Sequence, residues 1–154
     1  MKRLLVIPAR GGSQRIKKKN IKFFCGRPII EYSINAAKDS SLFDEIHVST
    51  EDDEVYKVCS ALNVQPKFLR PKYQSHNDYP LISLIRDVKN EFLNLNKSFD
   101  EIWMLLPCAP LITHEDLIDA SKNFLDMKCL GMISVCEYPA PTEWAFKIDQ
   151  NKKL

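Results

Sequence analysis

The chain is poor in glycine and has no long apolar run. With 4 glycines and 9 prolines among 154 residues, it is neither collagen-like nor of low complexity. No stretch approaches the roughly 18 to 20 apolar residues of a membrane span, and the short apolar run after Lys2 and Arg3 ends at Pro8, too early for a signal peptide. Because 45% of the residues are hydrophobic and 27% are charged, the composition predicts a folded, cytoplasmic protein.

The five cysteines follow no ligand or disulfide pattern. There is no Cys-x-x-Cys pair and no cysteine–histidine spacing typical of zinc sites, and an odd number of cysteines argues against a disulfide framework. We therefore expect reduced, buried thiols in a reducing compartment. The cysteines are Cys25, Cys59, Cys108, Cys129 and Cys136.

Acidic residues are absent from the first 30 positions, which carry nine basic side chains. The rest of the chain holds the other 13 of the 22 basic residues and all 20 acidic ones, so its net charge is −7 although the whole chain is +2. Positive charge is thus concentrated in one segment, where a polyanionic ligand could use it. The nine residues are Lys2, Arg3, Arg10, Arg15, Lys17, Lys18, Lys19, Lys22 and Arg27.

Short apolar runs alternate with stretches of helical periodicity. This order predicts an open, mostly parallel α/β sheet of Rossmann-like type, with helices on both faces. Helices are expected from Pro28, after the acids at 51–53, from Leu81 and from Thr113, where Asp116 takes the Glu position of a capping box. The expected strands are residues 3–7, 45–50, 68–69, 102–106, 132–136 and 144–148.

The end of the chain predicts an incomplete domain. Residues 149–153 have the composition of a turn, after which Leu154 would begin a returning strand. Because natural domains seldom stop one residue into a strand, we expect one domain over residues 1–154 that lacks its C-terminal part.

Gly11 and Gly12, two of the four glycines, directly follow the first expected strand. Ligands of open α/β sheets bind beyond the carboxyl ends of the strands, and backbone N–H groups without neighbouring Cβ atoms can approach phosphate oxygens. Arg10 and the basic residues of 15–19 surround this loop with cations. The fingerprints of dinucleotide folds and P-loop NTPases are both missing. A simple turn beside a solvated basic loop is the competing interpretation.

The stretch at residues 6–21, Val-Ile-Pro-Ala-Arg-Gly-Gly-Ser-Gln-Arg-Ile-Lys-Lys-Lys-Asn-Ile, closely resembles a family signature. The signature is that of the acylneuraminate cytidylyltransferases, the CMP-sialic acid synthetase family. The chain is most similar to the bacterial branch that acts on nonulosonic acids such as pseudaminic or legionaminic acid. Further matches cover essentially the whole chain, in order, at 26–30, 43–52, 68–71 and 105–111.

This resemblance implies a nucleotide-diphospho-sugar transferase-like fold and a role in the biosynthesis of cell-surface glycans. The anomeric hydroxyl of a nine-carbon acidic sugar would attack the α-phosphorus of CTP, releasing pyrophosphate and forming a CMP-sugar. Mg²⁺ is expected to bridge the phosphates, and the family forms homodimers. The family's metal-binding aspartates and dimerisation segment lie C-terminal to the residues present here, so no metal ligand can be named. Neither nucleic acid nor a membrane is an expected partner.

The resemblance also assigns roles to single residues. Arg10 and Lys19 would be the catalytic residues, which hold the triphosphate and stabilise the departing pyrophosphate. Ser75 and Asn77 belong to a loop that faces the nucleotide in relatives. The expected nucleotide-binding residues are Ala9, Arg10, Gly11, Gly12, Ser13, Lys19, Asn20, Arg70 and Asp78.

Two positions depart from the family pattern. Gln14 stands where the family usually has Lys, although Arg15 could compensate for the missing charge. Leu106 stands where sialic-acid members often have Gln to read the cytosine edge. Because a Leu side chain cannot hydrogen-bond, cytosine must then be selected by backbone or other groups.

Two other classes of function stay open. A nucleic-acid binder would explain the basic segment, but aromatic residues are not interleaved with its lysines and the rest of the chain is acidic. A non-catalytic or truncated nucleotide-binding remnant would explain Gln14, Leu106 and the early end of the chain. The acids at 51–53 could ligate a metal, but acids at a helix N-terminus stabilise the helix dipole, which we favour. Structural roles are expected for His47 and His114, and His76 is left open.

Overall fold

The computed structural model describes residues 1–137 and 141. Two compact units are distinguished, Met1–Lys122 and Asn123–Leu154. The helices are α1 (Ile29–Ser40), α2 (Asp53–Ala61), α3 (Leu81–Asn94) and α4 (His114–Met127), with 3₁₀ turns at Lys19–Ile21 and Lys72–Ser75. The strands are β1 (Arg3–Pro8), β2 (Phe23–Phe24), β3 (Arg27–Pro28), β4 (Glu45–Ser49) and β5 (Glu101–Met104).

A parallel sheet of three strands, in the order β4-β1-β5, lies at the centre of the first unit. In its register Leu4 is paired with Glu45 on one side and with Ile102 on the other. The four residues from Leu4 to Ile7 are all 0% exposed. A strand that is covered on both faces requires an unbroken apolar run, which is the pattern that predicted β1.

Helices cover both faces of this sheet, as predicted. Leu5 and Ile7 belong to one core cluster, together with side chains of α1, α2 and α4. Leu4 and Val6 point the other way, as alternate residues of a strand must, and pack with α3. The helical core residues are Ile30, Ile34, Ala36, Ala37, Val55, Cys59 and Leu117 on the first face and Leu84, Val88 and Phe92 on the second.

Two helix starts carry capping side chains, and the sequence predicted the one at Thr113. Asp52 caps α2, since its Oδ1 accepts hydrogen bonds from the N–H groups of Glu54 (2.9 Å) and Val55 (3.0 Å). At α4, Thr113 N donates to Asp116 Oδ2 (2.9 Å) and Asp116 N donates to Thr113 Oγ1 (3.3 Å). This reciprocal pair confirms the capping box with Asp in place of Glu.

The strand expected at 68–69 is wrong, because these residues form no ladder in the structure. One backbone hydrogen bond, from Arg70 N to Thr50 O (2.8 Å), joins this segment to the end of β4. Phe68 instead packs its ring against His47, with 4.3 Å between the ring centroids. Its apolar character therefore reflects side-chain packing rather than strand pairing.

The strand expected at 132–136 is also wrong in the described part of the chain. These residues have no regular structure, and Ile133 and Val135 are 83% and 84% exposed. A strand needs a neighbour for its backbone hydrogen bonds, and none of the described residues pairs with this segment. The strand expected at 144–148 and the turn at 149–153 lie outside the described residues.

A small hairpin that was not predicted joins β2 and β3. Its two turn residues, Cys25 (φ 47°) and Gly26 (φ 87°), both have positive φ, as a tight hairpin turn requires. All five cysteines are free, as expected, but only Cys59 is buried, so the expectation of buried thiols is wrong for the other four. Of the helices described, none is both long and apolar enough to cross a membrane.

Candidate active site at the carboxyl edge of the sheet

The loop that carries Gly11 and Gly12 begins where β1 ends. Ala9 N donates to Ser49 O (2.9 Å), which extends the contact between β1 and β4 by one residue, and Ala9 itself is 0% exposed. Ser13 N then donates back to Gly11 O (2.9 Å) and forms a tight turn. The glycine loop therefore lies at the carboxyl edge of the sheet, where the sequence predicts a ligand site.

The two glycines differ in their surroundings. A Cβ atom on Gly11 would lie 2.2 Å from Asp52 Oδ2, far inside van der Waals contact. Asp52 cannot easily move away, because it caps α2. A Cβ atom on Gly12 would have no neighbour within 4 Å. Gly11 is thus required by packing, whereas Gly12 leaves its backbone open to solvent and to a ligand.

Asn20 lies beneath the loop and holds its backbone. The side chain is 4% exposed, and its Nδ2 donates to Arg10 O (2.8 Å). On the other side, the Sγ of Cys108 donates to Asn20 Oδ1 (3.3 Å). Both ends of the Asn20 amide are therefore engaged within the protein, which makes Asn20 a support for the loop in this structure.

Arg70 is buried at the end of β4. Its Nε donates to Ser49 Oγ (3.1 Å) and its Nη2 to Ser49 O (2.5 Å). Burial lowers the pKa of Arg70, the Glu51 charge opposes this shift, and the Arg10 charge adds to it. Arg10 and Arg70 are therefore close enough for their positive charges to repel, and the pair forms an electropositive site beside the loop.

Arg10 and Lys19 lie on different sides of the loop. Arg10 is half-buried, and its Nη1 reaches Ser75 O (3.4 Å), which connects it with the 3₁₀ turn at Lys72–Ser75. Lys19 is exposed at the start of the other 3₁₀ turn. It is close enough to Cys108 for its charge to oppose the rise that burial causes in the pKa of that thiol.

The neighbouring Lys18 is bound elsewhere. It has positive φ (52°), and its Nζ contacts Glu54 Oε1 at 2.5 Å and Oε2 at 2.6 Å, which ties the end of the loop to α2. Arg15, Lys17 and Gln14 are exposed. The basic run at 15–19 is therefore not one uniform cationic surface.

Asp78 lies in a separate part of the site. It lines a shallow cavity of about 370 Å³ together with Tyr73, His76 and Tyr79. Asp87 of α3 supports this cavity from behind, since its Oδ2 accepts from Tyr79 Oη and, at 3.0 Å, from Gln74 Nε2. No residue of the glycine loop lines the cavity. Ser75 is half-buried and Asn77 is exposed.

Glu51 is the site residue that the sequence analysis missed. Its Oε1 accepts a hydrogen bond from Gly11 N (2.8 Å), and its Oε2 is buried without a hydrogen-bond partner among the described residues. The helix-terminal role expected for the acids at 51–53 holds for Asp52, which caps α2. The place of Glu51 in the sequence could have indicated this role, because Glu51 follows β4 at the same edge of the sheet where the glycine loop follows β1.

The described residues do not form a Mg²⁺ site by themselves. No group of three or more His, Cys, Asp or Glu side chains among them is arranged to hold a metal ion. One oxygen of Glu51 accepts from Gly11 N and one oxygen of Asp52 caps the N-terminus of α2, so each of these carboxylates already has a structural contact. Mg²⁺ ligands (one or two carboxylates plus substrate phosphates in typical sites) cannot be assigned from this set.

The remaining residues singled out from the sequence are His47, His114 and Leu106, and each has contacts within the protein. His47 is 1% exposed and packs against Phe68 and Phe92, which is the structural role expected for it. At the start of α4, His114 Nε2 lies 3.1 Å from Glu115 Oε1. The Leu106 side chain is 53% exposed, while its carbonyl oxygen accepts from Ser33 Oγ (2.8 Å).

The fold is shared with a solved structure. The structure of CMP:2-keto-3-deoxy-manno-octonic acid synthetase complexed with CTP matches with a TM-score of 0.67 and 23% sequence identity. The match covers 84% of this chain and 50% of that one. This likeness confirms the predicted α/β architecture.

Sequence comparison then identifies the family. Residues 4–102 match the family model of the cytidylyltransferases, and the chain belongs to that family. Pseudaminic acid cytidylyltransferase of Campylobacter jejuni is 32% identical over 154 residues, and CMP-N,N'-diacetyllegionaminic acid synthase of Legionella pneumophila is 30% identical over 156 residues. The N-acylneuraminate cytidylyltransferase of Oncorhynchus mykiss is 35% identical over 130 residues, which cover 84% of this chain and 29% of that protein.

The two bacterial relatives align with all of this chain, which spans 66% of the length of each. These comparisons confirm the cytidylyltransferase family that the motif at 6–21 indicated, and the relatives that align with the whole chain are bacterial.

Proposed function

We propose that the protein transfers the CMP group of CTP to a nonulosonic acid. The oxygen of the sugar's anomeric hydroxyl attacks the α-phosphorus and loses its proton to solvent. The bond between the α-phosphorus and the oxygen that bridges it to the β-phosphate breaks, pyrophosphate leaves with that oxygen, and a CMP-sugar forms. The observation that carries this proposal is the glycine loop at the end of β1, with Arg10 and Arg70 beside it.

The positive charge of the site suits the departing pyrophosphate, which is an anion. Phosphoryl-type transfer depends on positioning and on neutralising charge, more than on covalent chemistry by the protein. The guanidinium groups of Arg10 and Arg70 repel each other, and a polyanion bound between them would relieve that repulsion. The open backbone at Gly12 lets phosphate oxygens approach the loop. Lys19 would add a mobile cation at the edge of the loop. In this proposal Arg10 and Lys19 hold the triphosphate, while Asn20 shapes the loop.

The acceptor is proposed from the relatives. The bacterial proteins that align with the whole chain are named for pseudaminic and N,N'-diacetyllegionaminic acid, both of which are nonulosonic acids. The same relatives support CTP as the donor. Because the exposed Leu106 side chain has no hydrogen-bonding group, we propose that cytosine is selected through backbone groups.

The proposal includes a requirement for Mg²⁺, which neutralises triphosphate charge in reactions of this class. No ligand is assigned to it within the described residues. The homodimer and the cytoplasmic location expected from the sequence also stay predictions.

The direct test is product formation. Purified protein is incubated with CTP and Mg²⁺, together with pseudaminic, legionaminic or N-acetylneuraminic acid, and pyrophosphate and CMP-sugar are measured. We expect the two products in equal amounts with at least one acceptor, and no pyrophosphate without a sugar. Protein that binds CTP yet makes no CMP-sugar with any acceptor would favour the non-catalytic remnant instead.

A further inference from the structure

We propose that Glu51 is a positioning residue of the active site, which sets the Gly11 backbone beside Arg70 for triphosphate binding. This inference rests on the proposed function, since it assigns the loop at Gly11 to the nucleotide. It concerns a carboxylate that contacts the loop from the segment after β4, rather than a group that contacts the substrate.

Glu51 contacts the glycine loop directly. The N–H of Gly11 donates to Glu51 Oε1 (2.8 Å), so the carboxylate fixes one peptide of the glycine loop from beneath. A hydrogen bond to an ionised acceptor is stronger than a bond between neutral groups. Without it, the Gly11 peptide could rotate, because glycine has few conformational restrictions. The neighbouring Gly12 backbone would then lose its fixed orientation.

Glu51 also lies where the glycine loop and Arg70 both contact the end of β4. Ser49, two residues before it, accepts from Ala9 N (2.9 Å) and from the Arg70 side chain. Thr50 O accepts from Arg70 N (2.8 Å). The end of β4 therefore holds both the glycine loop and Arg70, and Glu51 is the acidic side chain at that junction.

Glu51 also places a negative charge near two arginines. Arg70 is 7% exposed, and its burial and the nearby Arg10 both lower its pKa. The negative charge of Glu51 acts in the opposite direction. Loss of this carboxylate would remove the negative charge that offsets the repulsion between Arg10 and Arg70.

The unpartnered oxygen of Glu51 argues against a role in stability alone. Oε2 is buried and has no hydrogen-bond partner among the described residues, which costs free energy in any folded protein. A buried polar atom that is left unsatisfied calls for an explanation outside simple stability. Positioning the loop and Arg70 supplies one.

The test compares Glu51→Ala and Glu51→Gln with Asp53→Asn, an exposed acid in the first turn of α2. Calorimetry gives the Kd for CTP, steady-state assays give kcat and the KM for the sugar, and hydrogen exchange reports on the Gly11 amide. Glu51→Ala should weaken CTP binding at least tenfold, leave the sugar KM unchanged and speed exchange at Gly11. Glu51→Gln, which keeps an oxygen acceptor for Gly11 but no charge, should restore slow exchange and recover part of the affinity. Asp53→Asn should match the wild type.

Unchanged CTP affinity in Glu51→Ala would overturn the inference. If Glu51→Ala does not fold, Glu51→Gln decides through its CTP affinity, because wild-type affinity there would exclude the charge effect on Arg70. Wild-type protein that folds but binds no CTP would contradict the proposed function instead. In that case Gly11 exchange still tests Glu51, and equal exchange rates in wild type and Glu51→Ala would refute its hold on the loop.

Discussion

Arg10 and Lys19 are the side chains on which the proposed chemistry depends most. Arg10 lies between the glycine loop and the 3₁₀ turn at Lys72–Ser75, through its contact with Ser75 O. Lys19 is exposed beside the same loop, whereas the adjacent Lys18 is bound to Glu54. Identical side chains in one basic run therefore have different surroundings.

We predict that Arg10→Ala and Lys19→Ala each reduce CTP turnover by about 100-fold or more, because each removes a positive charge from the leaving pyrophosphate. Neither change should unfold the protein, since both side chains lie outside the core clusters. Pyrophosphate release measures the effect, and Lys18→Ala is the matched control, with turnover close to wild type. Wild-type rates in both Arg10→Ala and Lys19→Ala would refute the assignment.

At the scale of elements, the sequence predicted those parts of the fold that local patterns specify. The apolar run of β1, the Asp52 cap of α2 and the capping box at Thr113 each follow from neighbouring residues. The strand expected at 68–69 was wrong because strand formation depends on a partner elsewhere in the chain. Composition alone does not show that Phe68 packs against His47 instead.

The site was predictable to a similar extent. The glycine loop and its cations could be located from their place after the first strand. The bond between Glu51 and Gly11 could not, because it joins residues 40 positions apart. The structural role of Asn20 depends in the same way on Cys108, which is 88 positions away.

The contact between the glycine loop and α2 leads to a prediction about Gly11 and Gly12. Gly11→Ala should lower the free energy of unfolding by about 1–3 kcal/mol and weaken CTP binding, because the added methyl overlaps the capping Asp52. Gly12→Ala, which meets no neighbour within 4 Å, should change stability by less than about 0.5 kcal/mol. Urea unfolding and CTP titration measure both effects. Equal stability of the two variants would contradict the packing described here.

For the whole molecule, His47 predicts how stability depends on pH. Burial lowers its pKa from 6.5 to about 3, and the charges of Arg70 and Lys67 add to that shift. Its ring packs against both Phe68 and Phe92, and neither nitrogen has a hydrogen-bond partner among the described residues. The folded protein therefore keeps this imidazole neutral where the unfolded chain would protonate it.

The direction in which stability changes with pH follows from this difference in proton binding between the folded protein and the unfolded chain. Below pH 6.5, His47 binds a proton in the unfolded chain, whereas in the folded protein it stays neutral down to about pH 3. The free energy of unfolding therefore decreases as the pH falls from 6.5 to about 3. The loss approaches about 1.4 kcal/mol per pH unit. His47→Phe should remove this contribution, as seen in urea midpoints at pH 7, 5 and 4, while substitution of the partly exposed His114 by Gln should not. An unchanged pH slope in His47→Phe would show that His47 is not the group responsible.

The proposed chemistry requires that the end of β1 forms a binding site for CTP. Calorimetric titration of the folded protein with CTP, ATP, GTP and UTP in Mg²⁺, repeated after the metal is removed with EDTA, tests this requirement. We expect preferential binding of CTP that weakens without Mg²⁺. A folded protein that binds none of the four nucleotides, or all four equally, would contradict it.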